Sequence, residues 1–138
     1  MSTLPDLGAQ RAALRTTLEQ VSGVRVFAAA PVGTMPGQFV LIGMPEWRPP
    51  KDAVCMHVVE WSVMVCVSRS GTNDELTALA LEGLWPEVLG VLDDAVEADP
   101  SLGGVCLLAS LTRAHFAPVT VSGQDYPAQI ITLTMQGV

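Results

Sequence analysis

The sequence predicts an α+β fold, a mixed and mainly antiparallel sheet with an N-terminal helix and a central broken helix packed on it. Three observations lead there. Apolar side chains recur at helical spacing from Leu7 to Val21, side chains alternate in twos from Val54 to Ser68, and two strand-like runs, Val105–Phe116 and Tyr126–Gln136, close the chain around a turn. The 138 residues carry no composition break or polar linker, so one domain spanning 1–138 is expected. Half of them, 49%, are hydrophobic and only 15% are charged. The mean hydropathy of +0.40 exceeds what one small core consumes, which directs part of the apolar surplus to a partner.

The first helix presents Leu7, Leu14, Leu18 and Val21 on one face and Arg11, Arg15 and Glu19 on the other. Ser22-Gly23 ends it, because glycine accepts the left-handed geometry of a helix terminus. A strand from Val24 to Ala28 follows. Pro31 to Gly37 reads as loop and delivers an apolar strand from Phe39 to Gly43. Pro45 to Asp52 reads as a second loop, its prolines stiffening a backbone that displays Trp47, Arg48 and Lys51. The long strand that follows places His57, Val59, Trp61, Val63, Val65 and Val67 on one face. Its other face carries Met56, Val58, Met64 and Cys66 beside Glu60 and Ser62, so cover is expected on both sides.

Gly71 to Asp74 turns the chain into a helix with Leu76, Leu79, Ala80 and Leu84 as its stripe. Pro86 removes a backbone donor, which predicts a break or kink and a second helical piece from Glu87 to Ala98. Asp99 to Gly104 is a turn, and Ser122 to Asp125 supplies the turn of the closing hairpin.

Several function classes lack the residues they require. The first twenty residues hold Asp6, Arg11, Arg15 and Glu19 and no apolar signal-peptide stretch, so synthesis in the cytoplasm without export by that route is expected. The longest uncharged run is broken by Pro31, Gly33, Pro36 and Gly37, which argues against a membrane helix. Seven basic against fourteen acidic residues give a net charge of −7, unsuited to tracking phosphates, and specific nucleic-acid binding is not expected. Gly103-Gly104 precedes a strand, where a phosphate-cradling loop would precede a helix. Cys55, Cys66 and Cys106 form no C-x-x-C pair, and the parity of Cys66 and Cys106 opposes that of His57 and His115, so the expectation is reduced thiols, no metal and no cofactor. His115, near Arg113 and Asp125, reads as a solvated strand end, and Asp93 and Asp94, adjacent on a helix, are expected to face different ways. An enzyme is not expected.

Eight of the fourteen acids fall between Asp74 and Asp99, where no Lys or Arg occurs. Such a run is either a solvated helix face or an electrostatic surface that lines a channel or meets a basic partner.

Three stretches carry a resemblance that spans Ala9 to Gln136: Val24-Arg-Val-Phe27 with Phe39-Val-Leu-Ile-Gly43, the helix end Ala95-Val-Glu-Ala-Asp-Pro-Ser-Leu-Gly-Gly104, and Gly123 with Tyr126 before the last strand. Together with the order of elements, they make the chain resemble the tail terminator, or tail-to-head joining, proteins of long-tailed bacteriophages of actinobacteria. Val105-Cys-Leu-Leu-Ala109 is more apolar than in those relatives, which marks it as core or subunit interface. The resemblance implies a homo-oligomeric ring of six subunits at the head-proximal end of the virion tail. Such a ring caps the tail tube, stops its elongation and meets the head–tail connector protein, with DNA passing through its lumen. Closure of a head-to-tail ring needs two different patches on each subunit. The residues expected to supply them are Trp47, Arg48 and Lys51 in the second loop, Met56, Met64 and Cys66 on the second strand face, and Asp93 and Asp94 on the acidic helix. The alternatives are another connector or tail tube component, or a small-ligand enzyme or binding module using His57 or His115.

Overall fold

A computed structural model of the chain describes residues 4–28, 37–49, 57–68 and 74–137. Helix α1, Leu7–Leu18, starts where the Asp6 carboxylate accepts the Ala9 amide at 3.0 Å, supplying an acceptor that the first helical turn lacks. Its buried face is Gln10, Leu14 and Leu18. Leu7, expected on that face, lies at the surface, and Gln10 takes the inner place. Gln10 tolerates full burial because both ends of its amide are bonded: Oε1 accepts from the Trp61 indole at 2.9 Å, and Nε2 donates to the Val105 carbonyl at 3.2 Å. Beside it, the Arg11 guanidinium lies 4.9 Å from the Trp61 ring centroid and donates to the carbonyls of Ala28, Ile42 and Gly43. These contacts fix α1 across the ends of two strands.

The sheet runs β1-β2-β4-β8-β5, with β1 Arg25–Phe27, β2 Gln38–Ile42, β4 Val58–Val67, β5 Leu108–Phe116 and β8 Ala128–Gln136. Among the described residues, only β1 and β2 pair in parallel; the other ladders are antiparallel. The segment expected as a loop from Pro45 contains a short strand, β3 Glu46–Arg48, antiparallel to the start of β4. Gly43 to Pro45 interrupts the chain between β2 and β3, and both lie along the same side of β4. Pro50 to Asp52 are outside the described residues.

Helix α2, Asp74–Ala98, passes through Pro86 without the expected break. Leu81, Leu84, Val88 and Leu92 are buried on both sides of the proline, so packing on the sheet keeps the two halves in one continuous helix. Pro86 itself is exposed, on the side where water can satisfy the carbonyl that loses its donor.

Both helices cover one face of the sheet. The main core there joins Leu14, Leu18, Val40, Ile42, Val59, Trp61, Val63, Val65, Leu133 and Met135 to the helix residues. The opposite face is covered, among the described residues, at one end. There the connection expected as a plain turn forms a second small sheet, β6 Val119–Val121 with β7 Gln124–Tyr126. Ser122 at φ +51° and Gly123 at φ +79° make its two-residue turn. Val121 and Tyr126 seat on Phe39, Leu41, Cys66 and Ala128, a separate apolar cluster. None of the described helices is long and apolar enough to cross a membrane.

Candidate docking surface

Large apolar side chains gather at the end of the sheet where β4 begins and β8 finishes. Trp47, paired with Val59 across the β3–β4 ladder, lays its ring 5.6 Å from the His57 ring, and its indole donates to His57 Nδ1 at 3.2 Å. Accepting at Nδ1 requires a neutral imidazole with its proton on the other ring nitrogen. His57 is buried, and its carbonyl accepts the Gly137 amide at 2.8 Å. Gly137 sits at φ +71°, where a Cβ would stand 2.7 Å from the Leu107 side chain. Glycine is needed here for both reasons, and it lets Leu107 lie against the strand end.

Around this pair the surface is oily. Leu4, Pro5, Leu7 and Trp47 line a shallow recess of about 190 Å³. Leu4 is 69% exposed, Trp47 43% and Leu107 57%. Burying one such leucine against a partner contributes roughly 1.5–3 kcal/mol, so a handful of them amounts to a substantial gross driving force before the costs of association. An aromatic anchor surrounded by leucines is also the composition of an interface centre. Arg48, next to Trp47 in β3, projects to the other face of the sheet and pairs with Glu60 at 2.8 Å. Both are solvent-accessible, so the pair adds at most about 1 kcal/mol.

Within the apolar run Val105–Ala109, Cys106 and Ala109 are core, Leu107 is exposed at this end, and Leu108 is exposed on the other face of the sheet. Sequence reasoning reached Trp47 but missed Leu4, Leu7 and Leu107 as parts of one surface.

The other candidate residues lie elsewhere. Met64 is half-buried, its Cε close to the space beside Gly43. Cys66 is wholly buried by its own chain, and this burial pushes its thiol up to about 12, so it is a core residue and not a contact for a partner. Lys51 and Met56 lie outside the described residues. Asp93 and Asp94 are exposed on α2, and their expected divergence is corrected: with Glu97 they bring carboxylate oxygens within 4.8 Å of one another. Positions i, i+1 and i+4 share enough of one helix face for flexible acid side chains to meet. Among the described residues this is the only group of three or more metal-capable side chains that converges. Asp125 bonds the Thr120 hydroxyl within the small hairpin, and His115 pairs with Ile130 in the main sheet. No family model matches the chain, and no curated protein matches it either.

Proposed function

We propose that the chain is a structural virion protein, a ring-forming tail terminator that caps a phage tail tube, stops its elongation and joins it to the head connector. The observation that carries this reading is the oily end built from Leu4, Leu7, Trp47 and Leu107, a ready contact for a protein surface. It is supported by the resemblance of Val24–Phe27, Ala95–Gly104 and the Gly123–Tyr126 turn to that family. The acidic outer side of α2 gives each subunit a second, chemically different patch, as a closed head-to-tail ring requires. The same negative field disfavours sticking to DNA that passes through a lumen. In this reading the protein is made in the host cytoplasm and resides at the head-proximal end of the tail.

Electron microscopy of tails assembled with and without the protein tests the proposal. Overlong tails that fail to join heads are expected in its absence; tails of normal length that join heads normally would overturn it. Labelling its position in the particle separates a terminator from a tube or connector component.

A further inference from the structure

Hairpin β6–β7 is set apart from the main sheet by its own sequence. Pro118 precedes it and Pro127 follows it, and neither can donate a hydrogen bond, so the β5 and β8 ladders lose donors at the two points where the hairpin leaves. The last ties on the sheet side are Ala117 N–H to the Ala128 carbonyl at 3.0 Å and Val67 N–H to the Pro127 carbonyl at 3.1 Å. Beyond them the chain makes a two-stranded sheet with strands of three residues, too small to be stable by itself. Its inner side is Val119, Val121 and Tyr126, and its outer side is Thr120 and Asp125. Tyr126 meets the Phe39 ring edge-on at 5.1 Å, and Phe39 meets Phe27 at 6.0 Å.

We infer that β6–β7 is a flap that lifts as a unit from the sheet while the main core stays folded, uncovering an apolar floor of Phe39, Leu41, Cys66 and Ala128. A segment seated on its own small cluster is the kind that opens at lower free energy than the whole molecule. The inference is independent of the tail reading.

The molecule contains both a reporter and a control. Cys66 lies in the cluster beneath the flap, whereas Cys106 lies in the main core, and both are free and buried. Labelling with a thiol reagent in increasing urea, with peptide mass mapping, reads the two openings separately. Cys66 is expected to react at least about tenfold faster than Cys106 without denaturant, with a weaker urea dependence because less surface is exposed on opening. Tyr126→Ala is expected to speed Cys66 about a hundredfold and leave Cys106 unchanged. Should that variant not fold, Val119→Ala serves in its place, and the comparison in the unaltered chain stands by itself. Cys66 reacting no faster than Cys106, or both with the same steep urea dependence, would overturn the inference.

Discussion

The indole of Trp47 and the imidazole of His57 are joined by one hydrogen bond of 3.2 Å, across a strand pair that otherwise ends in solvent. The bond holds an aromatic side chain rigid at a surface that is 43% exposed for that residue. A rigid anchor loses little side-chain entropy on binding, which is the property that makes tryptophan effective at interfaces.

Trp47→Phe keeps most of the apolar area and leaves the buried His57 Nδ1 without its donor. A loss of about 1 kcal/mol in urea unfolding is expected. Trp47→Ala should in addition abolish tail joining in a complementation assay, while circular dichroism stays native.

Gln10→Leu tests the buried amide. It leaves the Trp61 indole N–H and the Val105 carbonyl unpaired in the core, and a destabilisation of roughly 1–3 kcal/mol is expected. The urea midpoint should fall with no change in slope, followed by tryptophan fluorescence.

Cys66 makes stability depend on alkaline pH. Its thiol is raised in the folded chain from 9.0 to about 12, so both states are protonated below pH 9 and stability is unaffected there. As pH rises from 9 towards 12 the unfolded chain ionises first and stability falls. Urea midpoints at pH 8 and pH 10.5 should show this drop, and Cys66→Ala should make it smaller.

Asp99 acts in the opposite range. The Ser101 hydroxyl and the Gly103 and Ser101 amides bond its carboxylate and hold it below its ordinary 3.8. The stability this contributes is present above pH 3.8 and disappears as pH falls through the lower folded value. Asp99→Asn should flatten that acid limb, measured by thermal melting between pH 5 and pH 2.

The strand and helix order was legible because one face of β4 is apolar at every second residue and α1 and α2 repeat at helical spacing. What stayed hidden had no period to announce it. Glu46–Arg48 is three residues long among prolines, and it becomes a strand only because β4 offers a free edge. Val119–Val121 is equally short. The Pro86 break failed because Leu84 and Val88 are anchored in the core, an effect of tertiary packing on a local preference. Gln10 reads as surface in any window, since its partners Trp61 and Val105 lie far along the chain. The oily end is least legible of all. Leu4, Trp47, His57 and Leu107 come from four separate segments, and only the sheet's register brings them to one end.

The Arg11 clasp has an electrostatic corollary for assembly. With its guanidinium turned inward over Trp61, and Arg15 and Arg48 matched to Glu19 and Glu60, three of the cations among the described residues do little to offset the acids of α2, and the net charge of the chain is −7. Copies of the chain therefore approach one another against mutual repulsion. Added electrolyte shortens the reach of that repulsion to about 10 Å near 0.1 M and leaves apolar attraction intact, so self-association in the proposed ring should tighten as ionic strength climbs.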